Sequence, residues 1–505
     1  MAKQFFIIFM VMGLVWTGCN GDPESENQDP NQNNNAGLDV GDHYQDVRGD
    51  TGDVDGRDAH DMGDDVGPDA DANGDINDIG DGDVGEGDVG DGDVGEGDVG
   101  EGDVGDVDES CFPCGDPDEN AAFICVDGQC ESACLPGFHL DGGDCVQRFR
   151  RLHGGDFHVC GINSADEARC WGHRSDGQLG ADFDFFDSHE VVHAGELENI
   201  VSIAAGGGHS CAILSGGSVE CWGANDRGQL GDGTIEGGSE PRAVVELGGS
   251  AVAISAGREN TCAVLDDGTV KCWGAHEHGM LGTEVLMYQD TPVQVEGISD
   301  AVDIVAGIEH VCALLSSGKV MCWGNNSLGQ LGSGNSEQGW QAQEVVDLSD
   351  ASELVAGLFH SCAMTIAGEV KCWGGNTNGE LGDDSDSFLS DIPVTVYGSL
   401  ENWQAQSIGG GTTHICVVTR DEDLLCWGAN GDGQLGDGTT NKWHRPVQVA
   451  ISGVQEVTGG VDFTCARLGA DQIKCWGNNF RRQLGDGTSE NRTTPGDDVA
   501  DFASQ

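Results

Sequence analysis

Short apolar runs separated by polar turns fill the chain from about residue 146 onward. In a representative unit, residues 201–234, runs such as Val201–Ala205 and Cys211–Leu214 alternate with clusters of Gly, Ser, Asn and Asp. Short runs bounded by such turns are typical of β-strands. Several units carry one further run that opens with a proline: Pro241, Pro292, Pro393 and Pro446. The pattern therefore predicts an all-β fold with a four-stranded sheet in each unit.

The tripeptide Cys-Trp-Gly sets the period of these units. It recurs seven times at intervals of about 50 residues, with its cysteine at Cys170, Cys221, Cys272, Cys322, Cys372, Cys426 and Cys475. Repeats of this length that each form a small sheet are typical of β-propellers, in which the sheets stack as blades around a central axis. The sequence therefore predicts a seven-bladed propeller over residues 146–505.

The repeat also carries a motif that resembles a known family. In the second unit it reads His209-Ser-Cys211, then Cys-Trp-Gly223, then Gly-Gln-Leu-Gly231. Over residues 147–499 the sequence resembles the regulator-of-chromosome-condensation repeat family, and the resemblance implies a seven-bladed β-propeller. It also implies one candidate activity, guanine-nucleotide exchange on a cytoplasmic GTPase, as in the eukaryotic members.

Every unit departs from that family pattern by an additional cysteine, which lies ten positions before the cysteine of Cys-Trp-Gly. A turn such as Ser215–Gly217 lies midway, so a β-hairpin places the two cysteines opposite each other, close enough for a disulfide. One disulfide per blade is therefore predicted, with free core thiols as the alternative. The pairs are Cys160 and Cys170, Cys211 and Cys221, Cys262 and Cys272, Cys312 and Cys322, Cys362 and Cys372, Cys416 and Cys426, and Cys465 and Cys475.

Net charge and cysteine content limit the class of partner and the cellular compartment. The 505 residues include 89 Asp and Glu against 22 Lys and Arg, a formal net charge of −67. Nucleic-acid binding depends on clustered Lys and Arg that replace counterions, so this balance argues against a nucleic-acid partner. The 21 cysteines indicate an oxidising compartment.

The N-terminus is typical of an export signal. Lys3 precedes an apolar run from Phe5 to Trp16 that is too short to span a bilayer, which predicts a signal peptide over residues 1–18. The sequence Trp16-Thr-Gly-Cys19 resembles the bacterial lipobox. That resemblance implies acylation of Cys19 and a lipoprotein anchored in the cell envelope, at the outer membrane or the cell surface. A plain signal peptide cut nearby is the alternative.

An acidic, low-complexity segment follows over residues 19–110. It is nearly free of aromatic residues, and its Gly-Asp-Val-Gly-Glu units repel one another, so it is predicted to be a disordered stalk. Four oxygen-bearing side chains match the start of a calcium loop: Asp69, Asp71, Asn73 and Asp75. Gly80 stands where that loop needs an acidic ligand. Diffuse attraction of cations is therefore the alternative to a calcium site.

Six cysteines lie within residues 111–145: Cys111, Cys114, Cys125, Cys130, Cys134 and Cys145. In a short exported segment they predict three disulfides that replace a hydrophobic core, with fifteen pairings open. The end of the segment, Cys134-Leu-Pro-Gly-Phe138 before Cys145, resembles the last loop of an epidermal-growth-factor-like module. A zinc site at Cys111 and Cys114 is the alternative, although no second Cys-x-x-Cys follows.

Histidines and carboxylates form no spacing that predicts catalysis or a cofactor. Two positions before the first cysteine of each pair stand His158, His209, Asn260, His310, His360, His414 and Phe463. A ring of metal ligands is one interpretation, but propeller symmetry keeps equivalent residues apart. Hydrogen bonding to local backbone groups is therefore favoured, and no metal site is expected. Acidic loop residues such as Asp232, Asp437 and Asp486 are interpreted as solvated.

Aromatic residues mark a candidate binding surface. The units are least regular at residues 181–189, 284–290, 338–343 and 384–391, which contain Phe183, Phe185, Phe186, Tyr288, Trp340 and Phe388. Such residues anchor interfaces or stack on sugars, and packing on their own blades is the alternative. The leading hypothesis is a non-enzymatic module that binds an unknown protein or glycan at the envelope surface. The alternatives are guanine-nucleotide exchange, which export disfavours, and an extracellular enzyme or enzyme inhibitor.

Overall fold

The computed structural model describes residues 121–499 and 502, with gaps at 127–128, 135–137, 142–143, 148–150, 182–187, 196, 285–286 and 470–471. The predicted signal peptide, Cys19, the acidic stalk, the calcium-like segment, Cys111 and Cys114 lie outside these residues. Within the described part of the chain, no helix is long and apolar enough to cross a membrane.

Four short strands come first in the described chain: β1 (Ala121–Val126), β2 (Gln129–Cys134), β3 (Phe138–Asp141) and β4 (Asp144–Gln147). β1 pairs antiparallel with β2, and β3 pairs antiparallel with β4. The first ladder places Cys125 opposite Cys130. The backbone of the cysteine module is thus two hairpins, while its disulfide pairing, its likeness to epidermal growth factor and the zinc alternative stay predictions.

Seven antiparallel sheets follow, and consecutive strands pair in each of them. Blade 1 contains β5 (Leu152–Gly154), β6 (His158–Ile162), β7 (Ala168–Gly172) and β8 (Ser188–His193). Blade 2 contains β9 (Ile200–Ala205), β10 (His209–Leu214), β11 (Val219–Gly223) and β12 (Gly238–Ala243). Blade 3 contains β13 (Ala251–Ala256), β14 (Asn260–Leu265), β15 (Val270–Gly274) and β16 (Gln289–Gln294). Blade 4 contains β17 (Ala301–Ala306), β18 (His310–Leu315), β19 (Val320–Gly324) and β20 (Gly339–Glu344). Blade 5 contains β21 (Ala351–Ala356), β22 (His360–Thr365), β23 (Val370–Gly375) and β24 (Leu389–Thr395).

Blade 6 contains β25 (Ala405–Gly410), β26 (His414–Thr419), β27 (Asp423–Gly428) and β28 (Trp443–Ser452), and blade 7 contains β29 (Glu456–Gly459), β30 (Phe463–Arg467) and β31 (Ile473–Gly477). The first strands of successive blades pack against one another, including β29 against β5, so they line the central axis of a closed ring. The predicted seven-bladed β-propeller is confirmed.

The four prolines lie within the outermost strands rather than at their starts: Pro241 in β12, Pro292 in β16, Pro393 in β24 and Pro446 in β28. An outermost strand has one unpaired edge. A residue without a backbone N–H is tolerated there because no ladder hydrogen bond is lost.

The C-terminal segment completes blade 7. Single antiparallel bridges join Lys474 to Asp498 and Gly477 to Arg492, so this segment takes the outermost position beside β31. Phe502 then lies edge-on against Trp171 of blade 1, with ring centroids 5.8 Å apart. Blade 1 is built from its own residues, so the ring closes without the exchange of a strand.

Side chains of blade 7 also bind the first strand of blade 1. The Leu152 N–H donates to Glu456 Oε1 at 3.3 Å, and the Gly154 N–H donates to Thr458 Oγ1 at 3.0 Å. These bonds satisfy N–H groups on β5 that have no neighbouring strand on that side. The closure is therefore polar at the axis and aromatic farther out.

A disulfide joins the second and third strands of every blade, at the pairs expected from the sequence. In blade 2 the Leu214 N–H donates to the Ser218 carbonyl, so the alternation of the ladder makes Cys211 and Cys221 a non-hydrogen-bonded pair. Such pairs bring Cα atoms closest together, and those of the seven disulfides are 4.0–4.1 Å apart. The local geometry of the hairpin therefore selects the bonded cysteines.

The seven tryptophans of the Cys-Trp-Gly tripeptides connect neighbouring blades. All are fully buried, and each indole N–H donates to a turn carbonyl of the preceding blade at 2.8–3.0 Å. Trp273, for example, donates to the Gln229 carbonyl. Gly231 in the same turn has a φ of +67°, and a Cβ there would lie 2.8 Å from Trp273 Nε1. The Gly-Gln-Leu-Gly turns therefore form the joints between blades.

Candidate functional site

Strand direction sorts the loops onto two faces. Because consecutive strands are antiparallel, the loops after the first and third strands begin at one end of each blade, here called the loop face. The tight turns after the second strands and the links between blades lie at the other end, here called the hairpin face. On the loop face the two loops of a blade are bonded together, as by the Ala224 N–H to the Gly208 carbonyl at 2.8 Å. The longer loops make this face the candidate site.

The histidines lie inside the joints between blades. In four joints the imidazole Nε2 is 2.8 Å from a hydroxyl of the next blade: His158 and Ser210, His209 and Thr261, His310 and Ser361, His414 and Thr464. The hydroxyl donates its hydrogen to the turn carbonyl that also accepts the tryptophan N–H. Nε2 must therefore be the donor in each pair. The partners are side chains of the next blade, where the sequence predicts local backbone groups.

Three joints lack this pair. Where Phe463 replaces the histidine, the next blade carries Val159 in place of the hydroxyl residue, and where Asn260 replaces it, the next blade carries Val311. His360 keeps the imidazole, yet Ile415 occupies the hydroxyl position, and His360 Nε2 is buried without a hydrogen-bond partner. The joint between blades 5 and 6 therefore retains half of the pair.

Burial keeps these histidines neutral. It lowers the pKa to about 3 for His158, His310 and His414, and to about 4 for His209 and His360. A neutral imidazole suits the role of a single donor within a closed joint. Among the described residues, no group of three or more His, Cys, Asp or Glu side chains is placed to hold a metal ion. The histidines therefore stabilise the ring.

Acidic residues in the long loops are structural, in contrast to the expectation that they are simply solvated. The Asp232 carboxylate accepts hydrogen bonds from Thr234 and, at 3.0 Å, from Arg242, and its side chain is 8% exposed. Burial opposes its ionisation, but these hydrogen bonds outweigh burial and lower its pKa. Asp437 and Asp486 occupy the equivalent places in blades 6 and 7. Such carboxylates hold the loops of the face in fixed shapes.

The predicted aromatic residues that the structure describes belong to three adjacent blades. Tyr288 and Phe388 come directly before β16 and β24, at the loop-face end of these outermost strands. Tyr288 is half-buried, whereas Phe388 is 60% exposed. The other predicted residues on loops, Phe183, Phe185 and Phe186, lie outside the described residues.

Trp340 lies within a regular strand. It is the second residue of β20, half-buried, and its backbone packs against Gly279 of the preceding blade. The loop from Gly324 to Gly339 has the same length as the loop from Gly223 to Gly238 in blade 2. The irregularity at residues 338–343 is therefore one of side chains, without an insertion.

Phe480 is a further exposed aromatic residue that the sequence analysis missed. It is 74% exposed on the loop face of blade 7, and the Arg481 guanidinium lies 5.5 Å from its ring centroid. In blade 2 the equivalent residue is Asp226. Because the turn has its normal length, a search for irregular repeats passes over it. An aromatic residue at a position that is polar in blade 2 was the available signal.

The loops after the first strands surround the mouth of the central channel. Backbone hydrogen bonds link their tips from blade to blade, as by the Asp156 N–H to the Gly206 carbonyl and the Val461 N–H to the Asp156 carbonyl. Below them the first strands surround a cavity that is open to solvent. Glu353 within it accepts the Ile408 N–H of the next blade at 3.0 Å. This polar side chain thus joins the inner strands of two blades.

Carboxylic acids at this rim resist ionisation. Burial, with a contribution from Asp432, raises the pKa of Asp462 to about 6. Burial also raises the pKa of Asp156 and of Glu259, against the opposing effects of nearby arginines. These carboxyl groups therefore take up protons at a higher pH than ordinary Asp and Glu side chains do.

Comparisons with known proteins agree with this architecture. Residues 167–500 match the sequence model of the RCC1-like domain. The regulator of chromosome condensation of Drosophila melanogaster is 34% identical over 122 residues, 24% of this chain and 22% of that protein. The E3 ubiquitin-protein ligase HERC2 of Homo sapiens is 30% identical over 303 residues, 59% of this chain and 5% of that protein. The chain thus spans less than a quarter of the length of these two relatives.

Solved structures show the same fold. Prp20p of Saccharomyces cerevisiae superposes with a TM-score of 0.60 at 21% identity, covering 72% of this chain and 88% of that chain. Human WBSCR16 superposes with a TM-score of 0.60 at 19% identity, covering 66% of this chain and 95% of that chain. At these identities the likeness concerns the fold alone.

Proposed function

The chain belongs to the RCC1-like domain family, and on that premise we propose that it is a non-enzymatic binding module whose loop face contacts a protein ligand. The exposure of Phe388 and Phe480 on this face carries the proposal. Exposed aromatic residues surrounded by polar groups are typical of interaction sites, because they add large apolar area at a low cost in side-chain entropy.

The burial and hydrogen bonding of the histidines and loop carboxylates favour a binding function over a catalytic one. The buried histidines are neutral and enclosed in joints, and Asp232, Asp437 and Asp486 hold loops in shape. A general acid or base has to reach a reacting group, which these buried side chains do not. The same side chains make the loop face rigid, and a rigid surface loses little entropy on association.

Net charge defines the chemistry of the partner. With a formal charge of −67, the protein attracts a surface that carries Lys and Arg and repels acidic proteins. We therefore expect a basic protein that presents apolar groups to Phe388 and Phe480. Association should slow as salt is added, because added ions screen the long-range attraction.

The proposed place of action is outside the cytoplasm. Acylation of Cys19 would anchor the chain to a membrane, and residues 19–110 would serve as a tether. The seven blade disulfides support an oxidising compartment.

Guanine-nucleotide exchange is the second candidate function. The similarity to regulators of chromosome condensation from Drosophila melanogaster and Xenopus laevis favours it. An exported protein would not meet a cytoplasmic GTPase, so this candidate requires that the predicted signal is not used. Its test is release of a fluorescent guanine nucleotide from a small GTPase upon addition of the oxidised chain.

Affinity capture tests the main proposal. The oxidised full chain is immobilised, and proteins and glycans retained from envelope and secreted material of its own source are identified. A saturable protein ligand, bound at least about tenfold more weakly by Phe388→Ala, is expected, since a buried aromatic anchor contributes more than 1 kcal/mol. Tyr397→Ala is the matched control, because this half-exposed residue lies just beyond the opposite end of β24. Retention of a glycan alone, or of nothing saturable, would contradict the proposal.

A further inference from the structure

An ion pair crosses the mouth of the channel. Arg258 Nε, at the tip of blade 3, lies 3.8 Å from Asp156 Oδ2 at the tip of blade 1. The tip of blade 2 between them is Gly206-Gly207-Gly208, which has no side chains. A Cβ at Gly207 would lie 3.0 Å from Arg258 Cγ, so the arginine passes directly over this glycine. The bare tip leaves a notch in the rim, and Arg258 occupies it.

Arg258 is the charged group of the cavity most open to a ligand. Among the residues that line the cavity, all of them described, it is the one lysine or arginine. Its side chain is 57% exposed, and its 3.8 Å contact with Asp156 exceeds hydrogen-bond length. Glu353 and Glu456, deeper in the lining, accept backbone N–H groups of the next blade. Those carboxylates already have donors, whereas the guanidinium can accept a further partner.

An apolar side chain lines the same cavity as the arginine. Ile308, at the tip of blade 4, is half-buried there. A ligand at the channel mouth therefore meets one cation and one accessible apolar side chain. A concave site that offers apolar contact and one oriented charge is typical of binding sites for small amphipathic ligands.

We propose that the channel mouth binds a carboxylate attached to an apolar group, with the carboxylate on Arg258 and the apolar group against Ile308. The planar guanidinium matches a carboxylate in a two-point hydrogen bond. Asp156 positions the guanidinium in the empty site, and the ligand carboxylate replaces it. The carboxylate can belong to the C-terminus of a peptide with an apolar last residue or to a free aliphatic acid. This site is separate from the aromatic surface of the proposed function.

Titration calorimetry on the oxidised full chain tests the site with four probes. They are octanoate, octanamide, a pentapeptide Gly-Ser-Gly-Ala-Leu with a free C-terminus, and the same peptide as its C-terminal amide. At least one free acid should bind, and its amide should bind at least about tenfold more weakly, because the charge-assisted hydrogen bonds are lost. Binding of the peptide acid alone, of octanoate alone or of both identifies the source of the carboxylate.

Variants of the ion pair separate the site from nonspecific binding. Arg258→Gln should weaken binding of the free acid at least about tenfold, Arg258→Lys should keep part of it, and Asp156→Asn should strengthen it, because the competing carboxylate is gone. Arg227→Gln is the matched control, since Arg227 is also exposed on the loop face and pairs with Glu259 but does not line the cavity. Unfolding midpoints confirm that each variant is folded.

Four results would overturn the proposal. They are binding of neither acid, equal binding of acid and amide, an equal effect of Arg227→Gln and Arg258→Gln, and weaker binding by Asp156→Asn. Should Arg258→Gln fail to fold, Arg258→Lys and Asp156→Asn decide, because both retain polar side chains at the rim. Loss of this site would leave capture of a protein by Phe388 and Phe480 unaffected.

Discussion

Thr464 Oγ1 lies 2.8 Å from His414 Nε2 and donates to the Gln434 carbonyl 2.7 Å away. One hydroxyl on blade 7 therefore joins a strand and a turn of blade 6. The Trp476 N–H meets the same carbonyl at 2.9 Å. Because the groups are buried, each depends on the others for its hydrogen bonds.

Removal of this hydroxyl should destabilise the ring. Thr464→Val keeps the shape of the side chain but leaves His414 Nε2 buried without an acceptor. The expected loss is about 1–3 kcal/mol in the free energy of unfolding, measured by urea denaturation. Thr377→Val, at an exposed position, is the control and should change stability by less than about 0.5 kcal/mol. Equal effects of the two changes would show that the hydroxyl network adds nothing.

Addition of a hydroxyl between blades 5 and 6 should have the opposite sign. Ile415→Thr offers a partner to His360 Nε2, which has none, while Ile415→Val gives a side chain of the same shape as threonine without its oxygen. Ile415→Thr should therefore be the more stable of the two by about 1 kcal/mol. The difference should vanish when His360 is changed to Phe. A threonine variant no more stable than the valine variant would contradict the pairing of these positions.

Acid should weaken the fold. The five buried histidines have folded pKa values of about 3 to 4, below the ordinary value of 6.5, so the unfolded chain binds more protons. Stability is then complete above pH 6.5 and decreases as pH falls from there towards 4, by on the order of 1 kcal/mol per pH unit for each histidine. Carboxyl groups with raised pKa values act in the opposite direction; they are Asp462, with a pKa of about 6, and Asp156, Glu259, Asp350 and Glu380.

Urea denaturation at pH 7.5, 6 and 5 measures this dependence. His360→Phe should reduce the slope of unfolding free energy against pH by the contribution of one histidine. The variant should fold, because blade 7 already accommodates Phe463 at the equivalent position. A stability that is flat or rises between pH 7.5 and 5 would contradict the assignment of the histidines as buried and neutral.

The blade disulfides should resist reduction while the fold is intact. All 14 cysteines are 0–2% exposed, so a reductant reaches them only after a blade opens. Mass mapping after digestion without reduction should recover one crosslink per blade. A Cys211→Ala and Cys221→Ala double variant should lose up to about 2.7 kcal/mol, since closure of a loop of this length no longer restricts the unfolded chain. Crosslinks between blades would contradict the hairpin geometry.

Local features were predictable from sequence because they depend on neighbours in the chain. A ten-residue spacing across a glycine turn fixes the Cys211–Cys221 pair, and the repeat of that spacing fixes the number of blades. The joints depend on residues one whole repeat apart. An alignment of the repeats nevertheless shows that Phe463 replaces the histidine of blade 7 and that Val159 replaces the hydroxyl residue of the next blade, so both members of one pair are absent together.

The repeat pattern of the sequence did not predict how the ring closes or which residues are exposed on the loop face. The Leu152–Glu456 bond joins residues 304 positions apart, and nothing in the chain around Leu152 points to blade 7. Phe388 was found because its repeat is irregular, whereas Phe480 occupies a turn of normal length. Arg258 lies over Gly207 at the mouth of the channel, and this position depends on contacts between blades that the local sequence does not indicate.

Hydrogen exchange in the presence of the captured protein ligand is the most direct test of the central claim that the loop face is the binding face. Amides around Phe388 and Phe480 should be protected on binding, while those of the hairpin turn at residues 215–218 should exchange as in the free protein. Protection of the hairpin turns without protection around Phe388 and Phe480 would place the partner on the opposite face and contradict the account.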